Sequence, residues 1–483
     1  MSYDRARVIS ALLVMYMNHL KRFKRDLSMN HQSDKYHFIG VGGIGMSALA
    51  NILLDKGAKV TGSDQKENYQ TLFLKNKGAS ISIGHKAGEL DSSVKVVFSS
   101  AIKSDNPEWL EAKQKGCSLL HRSELLAQLT EGFRVLAVAG SHGKTTTTSL
   151  LSSVLLESDY KPSYAIGGVL LENGLNGGYG VGEFFVAESD ESDGSFLRVK
   201  PNGAIVTNIA AEHLDHYGSF ENLKECFLRF ISSTQVPDLL FWCIDDPVLA
   251  ELKPKGVSYG QHKDAQLQLS NYEVLGWSSS FDLTWKGKVY PQIEIKLTGL
   301  HNALNAAAVF GMALSIEITE EVIRRCLQNF KGIKRRCEQK GEHEGILIID
   351  DYGHHPDEVK ATLKAVKNSI KGKQLIVAFQ PHRYTRFNAC FKEFIEAFDD
   401  ANQAWIIDTY TAGEKAELEK VTPQQLVDTI NLKSQTKAIY CPKNELVSRL
   451  GTCIKGECVI ITMGAGDITE YGEKILDFLK KRI

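Results

Sequence analysis

Val135-Leu-Ala-Val-Ala-Gly140-Ser-His-Gly143-Lys144-Thr145-Thr146 is a short apolar strand that breaks into a glycine-lysine-threonine loop. Strand, loop and helix in succession point to an α/β sheet whose loop cradles a polyphosphate. Gly140 and Gly143, on either side of Ser141 and His142, let backbone N–H groups turn inward around phosphate oxygens, and Lys144 adds a point charge. Thr145 offers a hydroxyl to Mg²⁺, and with Thr146 it opens a helix expected to run to about Glu157 with its positive end on the anion. Only two residues separate the glycines, where the usual phosphate loop has four. The stretch predicts binding of ATP or GTP.

The whole chain has 483 residues, too many for one core and suited to about three domains. Hydrophobic residues make up 43% and charged ones 24%, as in an ordinary globular protein. A net charge of −1 argues against nucleic acid as the principal partner. The nine cysteines are scattered with no CxxC pair, which favours reduced thiols over zinc or disulfides and a cytoplasmic location. Residues 1–34 read as an extension. Val8 to Met17 is mostly apolar and precedes Lys21-Arg-Phe-Lys-Arg25, too short to span a bilayer and charged on the wrong side for a secretory signal. It reads as a surface helix or as a dispensable start, with Met29 as the working initiator; stable membrane insertion is not expected.

Upstream of the loop, Tyr36-His-Phe-Ile39 runs into Gly40-Val-Gly42-Gly43-Ile44-Gly45 and a helical pattern to Leu54, and a second strand ends at Gly62-Ser63-Asp64. A glycine turn after a strand with an acid about 20 residues on fits a dinucleotide fingerprint, although such glycines also serve plain strand-to-helix packing. Further strands end in Gly84-His85 and Ser99-Ser100, so residues 35–132 are expected to form a Rossmann-like domain.

A central ATP-binding domain is expected over 133–333. Its strand Phe184–Ala187 ends at Glu188-Ser-Asp190-Glu191-Ser-Asp193, and Ala204–Thr207 leads to Asn208 and then Glu212-His213-Leu-Asp215-His216. Acidic and histidine-bearing strand ends beside a phosphate loop suggest a Mg²⁺ site. Glu188, directly after the strand, is the candidate ligand, whereas most of Asp190 to Asp193 reads as a solvated acidic turn. His301-Asn302-Ala-Leu-Asn305 enters an Ala-rich helix, its asparagines placed either to read a base edge or to cap that helix.

A second Rossmann-like domain is expected over 334–483. Four apolar strands lead to Asp350-Asp351-Tyr352-Gly353-His354-His355, to Gln380-Pro-His382-Arg383-Tyr384-Thr385-Arg386, to Asp408-Thr-Tyr410, and to Gly464-Ala-Gly466-Asp467. Parallel strands deliver such groups to one edge, where His354, His355, His382, Arg383 and Arg386 favour an anion. The fold class is therefore α/β in three domains. Two phosphate-binding turns in different domains pose a question. NAD on the first would leave the second unexplained, whereas a diphosphate-bearing substrate would give ATP something to activate.

In order along the chain, these motifs, with Lys334-Arg335-Arg336, resemble the Mur ligase family from about Lys35 to the C-terminus. Single motifs are moderately specific; the ordered set is highly so. The resemblance implies ATP- and Mg²⁺-dependent joining of L-alanine to the lactyl carboxylate of UDP-N-acetylmuramate through an acyl phosphate, in peptidoglycan synthesis, with attachment of a tripeptide to the same nucleotide as the alternative. It assigns the UDP-sugar to Gly42, Gly43, Ile44, Gly45, Asp64, His85, Ser99 and Ser100. It assigns the metal to Thr145, Glu188 and His213, and ATP to Gly140 through Thr146, His301, Asn302, Asn305, Arg336 and Asp351. Tyr352, His354, His382, Arg383 and Arg386 are implied around L-alanine and the acyl phosphate, with Lys144, Glu188, His213, His354 and Arg383 as the catalytic set. Where several relatives carry a carbamylated lysine this chain aligns Phe227, so no carbamate is expected; Cys337 stands where Phe is commoner. The chain is expected to lack a fused D-alanine ligase and to be a monomer or weak homodimer, with hinges near Gly132 and Gly332.

Overall fold

The computed structural model describes residues 34–454 and 456–481; the expectations for the N-terminal extension lie outside these residues. Three α/β domains fall into two compact units. The first holds the described residues up to Val169, together with Asn173–Leu267 and Ala308–Cys326; the second holds the rest.

The first unit begins with β1 (Lys35–Ile39), β2 (Lys59–Asp64), β3 (Ser80–Ile83), β4 (Lys95–Phe98) and β5 (Ser118–His121), in the order β3-β2-β1-β4-β5. All four pairings are parallel. The strand order reverses at β1, so a crevice opens at its carboxyl end. There the glycine turn passes into α1 (Ile44–Asp55), a helix whose N-terminus carries no side-chain cap.

The second sheet of this unit contains β6 (Arg134–Ala139), β7 (Ser163–Ala165), β8 (Gly177–Gly178), β9 (Phe184–Glu188), β10 (Gly203–Val206), β11 (Leu240–Cys243) and β12 (Val257–Gly260). Within the unit they run β12-β11-β10-β6-β9-β7-β8. β6 is central and parallel to both neighbours, and Leu136, Val138 and Ala139 are fully buried. A strand covered on both faces must be apolar throughout, so its polar groups can appear only beyond Ala139, where the loop and α2 (Lys144–Glu157) follow.

The two sheets share one core, in which Met46, Leu49 and Leu53 of α1 cluster with Phe133, Ala165, Phe185 and Ala187. Asn51 of α1 donates to the Gly177 carbonyl at 2.5 Å, and Asn176 donates to the Ile44 carbonyl at 2.6 Å and to Ser47 Oγ at 2.9 Å. Buried amides satisfied across the boundary give the two sheets a fixed register.

In the second unit, which takes up β13 (Leu267–Leu275) after its first residue, β13, β14 (Ser278–Trp285) and β15 (Lys288–Ile295) are successive neighbours, β14 burying every second residue. The last sheet contains β16 (Glu338–His343), β17 (Ile346–Asp351), β18 (Gln374–Phe379), β19 (Gln403–Ile406), β20 (Lys437–Tyr440) and β21 (Cys458–Met463) in the order β16-β17-β21-β18-β19-β20. β16 is antiparallel and the others parallel. Four of these six strands are the apolar runs that the sequence displays; β16 is polar and β20 short.

Candidate active site

At the end of β6 the phosphate loop is braced from β10. Ser141 N donates to the Asn208 carbonyl at 3.0 Å, His142 N donates to Asn208 Oδ1 at 2.9 Å, and Thr207 Oγ1 donates to the His142 carbonyl at 2.6 Å. Lys144 Nζ donates to the carbonyls of Gly140 (2.5 Å) and Ser141 (2.9 Å) and pairs with Glu191 at 2.9 Å. Burial opposes the ammonium, but Glu191, Asp190 and Glu188 outweigh it and hold the Lys144 pKa above its ordinary value. Glu191 is 1% exposed. Burial pushes its pKa up to about 7, with Lys144 pulling the other way.

Thr145 Oγ1 donates to Glu188 Oε1 at 3.0 Å, and the other carboxylate oxygen accepts Gly167 N at 2.7 Å. A hydroxyl and a carboxylate in contact beside a phosphate loop fit the sparse oxygen ligation that Mg²⁺ takes from protein. His213 adopts φ 54° at the start of a short helical turn, with Nε2 3.7 Å from Glu212.

The acidic run is not a solvated turn. Asp190 binds Arg122 at 2.7 Å, and Asp193 accepts Ser100 Oγ at 2.6 Å, so the first sheet's loops are pinned to this strand end. Burial raises the Asp190 pKa, but Arg122, Lys144 and Ser192 more than reverse that and bring it to about 2. Spacing alone carries no sign of Glu191, Asp190 or Arg122 as partners, because each contact joins segments far apart in the chain. Phe227 is fully buried, edge-on to Phe196 with ring centroids 5.3 Å apart, and nearby Lys224 is taken by Glu221 at 2.7 Å.

At the edge of the first sheet Gly42 N donates to Asp64 Oδ2 at 2.8 Å, and Asn68 Nδ2 donates to the Gly42 carbonyl at 3.1 Å. Gly43 and Ile44 are exposed, Gly45 half-buried. His85 Nδ1 lies 2.8 Å from Ser63 Oγ, while Ser99 and Ser100 end β4 on the other side of β1.

In the second unit, β17 ends in two buried carboxylates. Asp350 accepts Thr462 Oγ1 at 2.8 Å and Thr469 Oγ1 at 2.6 Å. Asp351 accepts the backbone N–H groups of Cys337 and Gly353, each at 2.8 Å. Burial lifts the Asp351 pKa to about 6, with Arg336 the largest opposing influence. Cys337 thus anchors Asp351 through its backbone, whatever its side chain.

Arg335 and Arg336 both lie over the Tyr352 ring, at 4.9 and 5.2 Å from its centroid. Tyr352, His354 and His382 form a chain of rings with centroids 5.1 and 5.7 Å apart, and His382 stacks on Tyr410 at 5.6 Å. Arg386 donates to His382 Nδ1 at 3.1 Å. Burial, then the charges of His354, Arg386 and Arg383, drive the His382 pKa down to about 3. Arg383 differs from its neighbours: with φ 66° it sends Nε to Glu414 at 2.8 Å. Tyr410 and Glu414 stand at a strand end that the sequence places on this edge, but nothing in the sequence pairs them with His382 and Arg383. Asn302 donates to the Thr298 carbonyl at 2.8 Å, Asn305 is 5% exposed, and His301 is exposed.

Residues 35–134 match the family described as Mur ligase family, catalytic domain; 138–313 match its middle domain, and 335–466 its glutamate ligase domain. A UDP-N-acetylmuramate–L-alanine ligase of Protochlamydia amoebophila is 45% identical over 92% of this chain and 98% of its own length. A bifunctional enzyme MurC/Ddl of Chlamydia pneumoniae is 43% identical over 93% of this chain but only 55% of its own. The crystal structure of a UDP-N-acetylmuramate–alanine ligase from Thermotoga maritima superimposes with a TM-score of 0.81 at 27% identity, covering 93% of this chain and all of that one. A murein peptide ligase from Psychrobacter arcticus shares the fold, with a TM-score of 0.68 at 21% identity.

Proposed function

This chain belongs to the Mur ligase family, and we infer that it joins L-alanine to the lactyl carboxylate of UDP-N-acetylmuramate at the expense of ATP, a step of peptidoglycan synthesis. The observation that carries this is the 45% identity to such a ligase along nearly the full length of both proteins. The expected domain limits, 35–132, 133–333 and 334–483, are retained as part of the proposal, with the UDP-sugar on the first domain, ATP on the second and L-alanine on the third.

A carboxylate is a poor electrophile at neutral pH, and transfer of the γ-phosphoryl group turns one of its oxygens into a leaving group. The chain has to bring two anions together, so its contribution is position and charge. Lys144 and the N–H groups from Gly140 to Thr146 would hold the β- and γ-phosphates. For Lys144 to do so, it exchanges Glu191 for phosphate oxygens. Thr145 and Glu188, already in contact, would hold Mg²⁺ with His213, and the ion supplies charge neutralisation between the phosphates. Asn302 and Asn305, with His301, would meet the adenine, and Arg336 and Asp351 would reach ATP from the third domain.

Tyr352, His354, His382, Arg383 and Arg386 would receive L-alanine. His382, held neutral by its surroundings, adds no positive charge to repel the amino group, while Arg386 supplies the cation for the carboxylate. Among the described residues no helix is long and apolar enough to cross a membrane; a cytoplasmic location and a monomer or weak homodimer complete the proposal.

The test is phosphate release with UDP-N-acetylmuramate, ATP and Mg²⁺ in the presence of L-alanine, glycine, L-serine or the tripeptide. L-Alanine is expected to give the highest kcat/KM. Release with the tripeptide alone would sink the assignment in favour of the recycling reaction.

A further inference from the structure

Behind the edge of the first sheet lies a buried carboxylate that the proposed reaction does not use. Glu108 sits in the first turn of a helix, Pro107–Gln114, and is 3% exposed. Its Oε2 accepts His37 Nε2 at 3.1 Å and Ser63 Oγ at 2.6 Å, and its Oε1 accepts Lys86 N at 3.0 Å. Burial raises the Glu108 pKa, but these donors together bring it below the ordinary value, so the group is an ionised acceptor.

Ser63, fully buried at the end of β2, has one hydroxyl hydrogen, and the carboxylate takes it. The contact of 2.8 Å between Ser63 Oγ and His85 Nδ1 must then be supplied with its hydrogen by the imidazole. In neutral His85 this places the proton on Nδ1 and leaves the lone pair on Nε2. No hydrogen bond from Nε2 to a described residue accompanies it. His85 follows Gly84, whose N–H binds the Asp64 carbonyl at 2.7 Å, so the residue stands at the carboxyl end of β2, on the strand edge that carries the glycine turn's acid.

We propose that Glu108 and Ser63 are positioning residues that fix His85 as the Nδ1–H tautomer, so that Nε2 accepts a hydrogen bond from the sugar nucleotide. This rests on the reading of the first domain as the UDP-sugar site. The donors available on UDP-N-acetylmuramate are the imide N–H of uracil, the ribose hydroxyls, and the hydroxyls and amide N–H of the sugar. The diphosphate has none at neutral pH, and a lone pair aimed at it would repel. His85 is therefore not a phosphate ligand, and of the remaining donors those of the nucleoside are the ones assigned to it.

The relay is tested without ligand first. In the full chain labelled with ¹⁵N-histidine, His85 is identified among the 14 histidines by substitution. Its ring signals are expected to show the Nδ1–H form in the wild type and to lose that preference in S63A and E108Q. An unchanged tautomer in both variants would overturn the relay. Kinetics follow: both variants should raise KM for UDP-N-acetylmuramate about tenfold, the cost of one misdirected hydrogen bond, with kcat and the KM values for ATP and L-alanine unchanged. A joint rise in all three KM values would mark a structural role and refute the proposal.

His85→Gln, which keeps an acceptor, should outperform His85→Lys; the reverse order would assign the ring to phosphate. Calorimetry with UDP, N3-methyl-UDP and 2′- and 3′-deoxy-UDP identifies the donor by which analogue loses affinity in the wild type but not in His85→Ala. Equal binding of all four to the wild type would sink the nucleoside reading. Absence of UDP binding to the wild type would instead refute the UDP-site assignment itself, while leaving the tautomer result standing.

Discussion

The two glycine turns of the first unit are built alike, yet one is organised around an acid and the other around a cation. Both follow a buried parallel strand and open a helix without a side-chain cap, α1 after Gly43 and α2 after Gly143. Such uncapped N-termini attract anions equally. In the first turn, Asp64 takes the N–H of Gly42, so part of the cradle already faces a carboxylate and suits a ligand that brings hydroxyl groups. In the second, Lys144 lies on the loop's own carbonyls and is paired with Glu191, the partner that phosphate oxygens would replace in the proposed reaction. On the proposed assignment of the two ligands, the same backbone motif would be made selective for a sugar-nucleotide hydroxyl or for a triphosphate by one side chain and its counter-ion.

The strongest test of that division is Lys144→Ala. Removing the cation from a phosphoryl-transfer site should lower kcat by on the order of a thousandfold or more. Calorimetric affinity for UDP-N-acetylmuramate should stay at the wild-type value. An equal loss of sugar-nucleotide affinity would show that the turns do not act separately.

Next in size is a paired substitution. A Cβ on Gly140 would lie 2.0 Å from Thr207 Oγ1 and 3.1 Å from Asn208 N, at φ +137°. Strain and a clash with the bracing strand should cost roughly 2–4 kcal/mol in denaturant unfolding and remove ATP-dependent turnover. A Cβ on Gly42 meets the ends of Asn68 and Asp64, at 2.6 and 2.9 Å, which can swing aside. Gly42→Ala should therefore cost about 1 kcal/mol and raise KM only for the sugar nucleotide. Similar losses in both variants would erase the contrast.

Much of this was legible in the residues themselves. Fully buried strands are continuous apolar runs that stop where chemistry begins, so both turns and the ends of β9, β17 and β18 could be read from hydrophobic pattern alone. β16 escaped because Glu338-Gln-Lys-Gly-Glu-His343 has no apolar face. Glu191 escaped for a different reason. An acid among acids reads as solvated, and only the fold brings Lys144, Arg122 and Ser100 to that run and buries it. Glu108 likewise reads as a favourable first-turn acid, while its partners His37, Ser63 and Lys86 come from three other segments.

Glu191 supplies a third, intermediate prediction. Its pKa near 7 means that at pH 8 the free site holds mostly a carboxylate. A triphosphate on Lys144 removes that carboxylate's counter-ion and sets a like charge beside it, which raises the pKa further. Nucleotide binding should then take up a fraction of a proton, seen as a calorimetric enthalpy that varies with buffer ionisation. Apparent affinity should fall as pH rises through about 7. In Glu191→Gln the extra uptake should vanish and the pH dependence flatten relative to wild type. Identical uptake in both proteins would mean that Glu191 keeps its charge, and the cationic turn would lose the exchange that distinguishes it.

The smallest expected effect probes the acidic turn. In Asp64→Asn the amide oxygen can still accept the Gly42 N–H at the observed 2.8 Å, so the turn keeps its shape. Only the charge is lost, and with it the stronger of the two kinds of hydrogen bond to a ligand hydroxyl. Charged acceptors exceed neutral ones by about 1 kcal/mol, so KM for UDP-N-acetylmuramate should rise about threefold to fivefold, with kcat and the KM for ATP unchanged. Asp64→Ala, which also frees the Gly42 N–H, should do more. If instead Asp64→Asn tightens the sugar nucleotide, the carboxylate faces the diphosphate and not a hydroxyl, and the first turn is an anion site that tolerates an acid. A change in the KM for ATP would carry a different meaning. The shared core and the Asn51 and Asn176 contacts join the two sheets, and such a change would show that this rigid connection transmits the state of one turn to the other.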